Sequence, residues 1–395
     1  MSSIKLSPNA SGTGEFTIAA PNSNTNRTLN LPDASGTILT NSGTEAGAFS
    51  TLAVAGNNIS AVNGVNFRNR IINGDMVIDQ RNAGASVTPT TDAQYGSCDR
   101  WSYFISQTSK FSVQQNAGAV TPPAGFTNYL GVTSLSAYTL IGNDNFEVVQ
   151  KIEGFNASDL NWGTANAQPV TLSFWVRSSL TGTFGGGISN SAYNRSYPFA
   201  YTINAANTWE QKTITIPGDT SGTWLTTNGI GLVLQFCLGA VAARTSAAGV
   251  WAAGWFPSAT GPTSVVSTNG ATFYITGVQL EAGSVATPFE RLPITTELAL
   301  CQRYYTRFNH FYFRIYQTSG SFGGQTLTMP VVMRASPTLT RVGTWTVGGC
   351  NQPIVEAASG DGTRSFNLAA QWTANTDGFF VTTDSSMFIT ASAEL

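Results

Sequence analysis

The stretch GIGLVLQFCLGA, residues 229–240, places Ile230, Leu232, Leu234, Phe236 and Leu238 at every second position. A period of two builds a strand with one face buried and does not build an amphipathic helix. VTLSFWVRSS (170–179) repeats it: Val170, Leu172, Phe174 and Val176 share one face, Thr171, Ser173, Trp175 and Arg177 the other. Further strands are expected at 71–79, 100–106, 110–115, 146–152, 199–203, 211–216 and 272–281, joined by Gly, Pro and Asn turns without helical periodicity. Many short strands at such spacing imply an all-β chain whose body, residues 67–292, is a jelly-roll β-sandwich with 229–240 as its central strand.

The last strand of that body changes parity. In FYITGVQLEAG, Phe273 and Ile275 share a face, Val278 and Leu280 the opposite one, and a one-residue slip at Gly277 restores a common face, as a β-bulge does. A proline-bounded tether then leads to one helical segment, TTELALCQRYYTRF, expected to form a connector over 293–308. Thr295 or Thr296 caps it, Glu297 lies in the first turn, and Leu298, Cys301, Tyr305 and Phe308 form a stripe. Strand-like runs resume in 309–395, a second, smaller β-domain. Residues 1–66 instead carry apolar pairs, Ile4/Leu6, Phe16/Ile18 and Leu29/Leu31, too sparse for a core within one chain. Such units bury themselves by stacking on copies, which predicts a short-stranded, intertwined stalk built with sister chains.

Composition narrows the chemistry. Only 10% of the 395 residues are charged, against roughly 25% in ordinary domains, and the net charge is −2. That offers neither a basic stripe for nucleic acid nor a polybasic patch for a membrane. No apolar run is long enough to span a bilayer, and MSSIKLSPNASGTGEF does not read as a Sec-type leader. Cys98, Cys237, Cys301 and Cys350 are isolated and read as small buried hydrophobes; with one histidine in the chain no zinc site is expected, no metal ligand is assigned and no cofactor is expected, while a structural calcium ion in the jelly-roll would need converging carboxylates and carbonyls. That histidine, His310, sits among aromatics in RFNHFYF and reads as a packed or solvent-edge side chain. Asp75/Asp79 and Glu147/Glu153 have even spacing within expected strands, and with Asp159 they are the carboxylates a glycoside hydrolase would recruit. They read as solvated strand-face charges or turn caps, so no catalytic residue is assigned.

Sugar binding asks for less: exposed aromatic faces and a few amides, hydroxyls or guanidinium groups. Two loops answer that description. GVWAAGWFP presents Trp251 and Trp255, and SAYNRSYPFAY offers Tyr193, Asn194, Arg195 and Tyr197. The competing reading is that these aromatics cover sandwich ends or subunit contacts.

NRIINGDMVIDQRNAG (69–84), DRW (99–101) and GVQLEAGSVATPFERLPITTELALCQRYY (277–305) resemble recurrent motifs in tail-fibre and related structural proteins of tailed bacteriophages, including phages of marine and cyanobacterial hosts. GTGEFTIAAPNSNTNRTLNLPDASGTILTNSG (12–43) is similar to the attachment-side segments of such fibres. The resemblance implies a homotrimer assembled in the host bacterial cytoplasm and carried on the virion. Its amino end would dock on a tail, baseplate or other particle protein, and its carboxyl end would be distal. The expected function is non-enzymatic adhesion to a host surface glycan or receptor through several weak sites on one shaft. A tailspike-like polysaccharide depolymerase and a collar, head or baseplate structural fibre without receptor binding are the alternatives.

Overall fold

The computed structural model describes residues 67–357 and 362–395. The stalk expected over 1–66 lies outside them. The described chain is almost entirely β, with one α-helix, and its body is a jelly-roll sandwich of two sheets. The seven-stranded sheet runs, edge to edge, Gln94–Tyr95, Trp101–Ile105, Asn145–Glu153, Ile230–Ala240, Gly182–Ser189, Arg195–Ile203 and Ala252–Ala253. The five-stranded sheet runs Phe111–Gln115, Leu130–Ser134, Thr272–Ala282, Val170–Ser178 and Glu210–Ile216. Ile230–Ala240 is the central strand of its sheet, as its apolar alternation requires.

The alternating residues meet between the sheets. Leu232, Leu234, Phe236 and Leu238 face Val170, Leu172, Phe174 and Val176 across a core in which the Phe174 and Phe236 rings stand edge to face at 5.0 Å. Ile230 departs from the expected face. A register shift between Ile230 and Leu232 turns it outward, where it packs beside Val149 and Val233. The slip at Gly277 is present: pairing with Val170–Ser178 shifts between Thr276 and Gln279, and Phe273, Ile275, Val278 and Leu280 all enter the core. Gly277 holds φ of 59°, and a Cβ there would stand 2.5 Å from the Phe126 ring, so this bulge admits only glycine.

Residues 71–79 are not a strand. They form a turn tied to distant segments: Val278 N–H donates to the Gly74 carbonyl (2.9 Å), Asn73 Nδ2 donates to the Asp99 carbonyl, and beside them Arg70 N–H donates to the Leu280 carbonyl (2.8 Å). The three motif stretches, far apart in sequence, are thus one packed block.

The helix is shorter than expected, Ile294–Gln302. Thr296 and Glu297 N–H groups donate to the Pro293 carbonyl, and neither Thr295 nor Thr296 caps it through a side chain. The chain then becomes a strand, Tyr305–Asn309, so Tyr305 and Phe308 belong to the C-terminal module and not to a helical stripe. The run RYYTRF favours this: aromatic and β-branched side chains suit a pleated surface, and Tyr305–Asn309 pairs with Phe388–Ser392.

That module contains three antiparallel three-stranded sheets: Tyr305–Asn309, Phe388–Ser392 and Thr338–Val342; Tyr312–Gln317, Thr376–Val381 and Thr346–Gly348; Phe322–Thr328, Ser365–Gln371 and Ile354–Ala357. Their inner faces share a core with Trp345, Trp372, Phe366, Leu368 and Phe380. Ion pairs fasten the module to the sandwich. Buried Glu153 accepts two bonds from Arg303 (2.6 and 3.0 Å) and one from the Tyr304 hydroxyl (2.6 Å). Glu394 accepts from Arg81 at 2.6 Å and from Arg100, whose guanidinium also covers the Tyr304 ring.

Candidate binding surfaces

The two loops chosen from sequence lie side by side. Ala252 pairs with Ser196 and Ala253 with Arg195, and Gly254 N–H donates to the Asn194 carbonyl at 2.9 Å. Their side chains divide into two groups. Trp251 stands within 5.1–5.5 Å of the Trp162, Trp224 and Tyr197 rings and donates its indole N–H to the Pro217 carbonyl at 2.9 Å. Arg195 is held beside it by two bonds to Asp219 (2.6 and 2.8 Å), an attachment that keeps the Asp219 carboxyl below its usual range despite partial burial. This is a packed end of the sandwich. Trp255 and Tyr193 remain half-buried, each edge to face with Phe104, with the Arg244 guanidinium 4.7 Å above the Trp255 ring, next to exposed Asn194.

Beside the apolar patch of Phe104, Val149 and Val233 on which Trp255 packs, the outer face of the seven-stranded sheet is polar and closed. Gln235 donates to Glu147 (2.8 Å), Asn145 donates to the same carboxylate (2.9 Å), Ser189 donates to Gln235 (2.9 Å), and Ser196 donates to the Gly254 carbonyl (2.6 Å). Burial pushes the Glu147 carboxyl up to about 7, against the lowering pull of its two amide donors. Neither Glu147 nor Glu153 is a solvated face charge: both are buried and fully engaged. The other expected carboxylates also hold structural posts. Asp79 accepts the N–H groups of Asn82 and Gly84, and Asp159 pairs with Arg70 at 2.5 Å. Asp75 lies in a turn, its carboxyl raised by burial. His310 is exposed in a left-handed turn (φ 63°). The four cysteines are free and buried. Among the described residues no group of three or more His, Cys, Asp or Glu side chains converges.

A more open site lies on the C-terminal module. The outer face of the Phe322–Thr328 sheet carries a trough of about 480 Å³. Strand register explains its shape. Gly324, Ala369 and Ile354 lie in one cross-strand row and Thr326, Asn367 and Glu356 in the next. The first row is a low apolar floor ending at Ile354, with Phe322, 59% exposed, as the other wall. The second row is polar. Thr326 Oγ1 donates to Asn367 Oδ1 at 2.8 Å, which leaves the Asn367 NH2 group to donate outward beside the accepting carboxylate of Glu356. Phe322–Thr328 and Ile354–Ala357 hold few core residues, so apolar alternation marks them only weakly. Their alternation of exposed Phe, Gly and Thr with half-buried Gln and Leu was the available signal.

The fold defines a jelly-roll β-sandwich protein with an appended β-module. Solved structures similar to it include the enzymatically active domain of bacteriophage CBA120 tailspike protein 4 (11% identity, TM-score 0.31), matched over 55% of this chain and 22% of that one. A family 11 carbohydrate-binding module of a Clostridium thermocellum cellulosomal cellulase matches over 51% of this chain and 98% of its own (14% identity, TM-score 0.25). The N-terminal cellulose-binding domain of a Cellulomonas fimi β-1,4-glucanase matches over 41% and 82% (14% identity, TM-score 0.21). No protein-family model and no curated protein matches the chain.

Proposed function

We propose that this chain is a non-enzymatic adhesive fibre protein of a tailed-phage virion, which binds a surface glycan of its bacterial host through the C-terminal module. The trough on the Phe322–Thr328 sheet is the observation that carries the binding role. It pairs an exposed aromatic wall with a row of hydroxyl, amide and carboxylate groups, the combination that takes the C–H face of a sugar ring and its hydroxyls together. Phe322 stacks on the ring, Ile354 limits its far side, and Asn367 and Glu356 donate to and accept from the hydroxyls. The virion role rests on the motif resemblance of residues 69–84, 99–101 and 277–305. Adhesion is favoured over depolymerisation because Glu147 and Glu153 are buried and hydrogen-bonded and Asp79 holds a turn through two backbone N–H groups. Repetition of one weak site in a trimer would supply avidity without further contacts.

The test is retention of the purified protein on immobilised lipopolysaccharide and capsular polysaccharide from host cells. Phe322→Ala is expected to weaken binding about tenfold, the equivalent of about 1.4 kcal/mol, with no new reducing ends released by the wild type. Unchanged binding by Phe322→Ala removes the trough from the account, and release of reducing ends overturns the adhesive reading in favour of the depolymerase.

A further inference from the structure

The Tyr312–Gln317 sheet presents a second face with no structural task. Cross-strand register places Tyr312, Arg314 and Tyr316 on its outer side, with Phe379 opposite Arg314, Asp377 opposite Tyr316 and Gly348 opposite Phe379. The alternate residues of the same strands, among them Phe313 and Phe380, turn into the module core. Tyr312 and Tyr316 are 64% and 61% exposed, values at which neither ring contributes appreciable packing. The Phe379 ring lies over Gly348, where a Cβ would come within 2.5 Å of it, so the sheet is flush at that point. Arg314 touches Asp377 through a single contact of 3.4 Å, and both side chains are more than half exposed. An ion pair that long and that wet contributes little to stability. It keeps a donor fork and an acceptor pair ready between two aromatic rings that stand roughly 13 Å apart along the strand.

We infer that this face is a second glycan platform, on which a neutral saccharide chain lays ring faces on Tyr312 and Tyr316 and directs hydroxyls to Arg314 and Asp377. The class of ligand follows from the groups. Aromatic faces select C–H-rich rings, and an adjacent cation and anion of equal charge favour paired hydroxyls over a net-charged ligand. A second copy of the chain is a poorer occupant: interface centres are depleted in acidic side chains, and charge on an edge strand opposes strand-to-strand pairing. The ligand class rests on the glycan reading given above, while the residues are independent of the trough.

The test uses the full chain and two probes, host polysaccharide and a panel of immobilised neutral hexasaccharides of glucose, galactose and mannose. Tyr312→Ala/Tyr316→Ala is expected to weaken retention at least fivefold while leaving the thermal midpoint and oligomeric state unchanged. Tyr312→Phe/Tyr316→Phe, which keeps the ring faces, is expected to stay within about twofold of wild type. Adding Phe322→Ala to the alanine pair should lower retention beyond either alone. If Phe322→Ala weakens binding and the alanine pair does not, this face is not a glycan platform, though the trough reading stands. If the wild type binds neither probe, the glycan reading itself fails and takes this inference with it. A change of oligomeric state in the alanine pair would assign the face to self-association instead, and overturn it.

Discussion

The sandwich and the C-terminal module are both antiparallel, but they treat the outward side of their sheets in opposite ways. On the seven-stranded sheet, Glu147, Ser189, Ser196 and Gln235 point away from the core and are nevertheless fully buried, because the segment around Trp255–Ala259 lies over them. On the C-terminal module, Tyr312, Tyr316 and Phe322 point outward and stay more than half exposed, because among the described residues no segment crosses them. Outward parity alone therefore does not make an aromatic residue available to a ligand. What matters is whether a later stretch of chain returns to cover that face.

The contrast breaks hardest at the junction between the two regions. Glu153→Ala would leave Arg303 and Tyr304 without their shared acceptor, and losing one member of such a buried pair costs about 3–5 kcal/mol. Urea unfolding should show that loss, with the C-terminal module released ahead of the sandwich and the single transition split in two. A smaller effect separates aromatics within each region. Trp251→Ala, by opening the nest with Trp162, Trp224 and Tyr197, should destabilise by about 3 kcal/mol, whereas Tyr316→Ala should remain within about 0.5 kcal/mol of wild type. Equal losses for both would erase the distinction between covered and uncovered faces.

A further difference lies in pH dependence. The Glu147 carboxyl is raised by burial to about 7, and burial raises Asp99 and Glu297 to about 7 as well. Below about 4 these groups are protonated whether the chain is folded or not, so they impose no penalty. As pH rises from there to about 7 the unfolded chain releases protons that the folded chain still holds, so stability falls across that window and levels off above it. Glu147→Gln removes one of these titrations and should flatten the decline, read as thermal midpoints between pH 4.5 and 8. A decline of unchanged slope would mean that Glu147 is ionised in the folded state throughout.

Much of the architecture was legible in the chain itself. The alternation of Leu232, Leu234, Phe236 and Leu238 fixed a central strand, and the parity change around Gly277 located the bulge to the residue. Other elements were hidden by their composition. Gly182–Ser189, which hydrogen-bonds directly to the central strand, carries Gly185, Gly186 and Gly187 where a core strand would have large side chains. Those glycines admit the Phe199 ring and Ser258, which would otherwise meet a Cβ at 2.4 and 2.0 Å. Strand propensity cannot announce a position whose requirement is to be empty. The helix was overextended because 3.6-residue spacing continued through Tyr305 and Phe308, whose backbone found a strand partner 87 and 81 residues onward, at Ser392 and Ile389.

The binding surfaces divide along the same line. The sequence by itself determined which residue types could meet a sugar and, through register of period two, which of them share a side of a strand. Only the tertiary structure decided that Trp251 packs among Trp162, Trp224 and Tyr197, that Glu147 is covered, and that Tyr312, Tyr316 and Phe322 face solvent. The reason is that alternation is a local property of the backbone, while burial depends on which distant segment comes to rest on a given sheet.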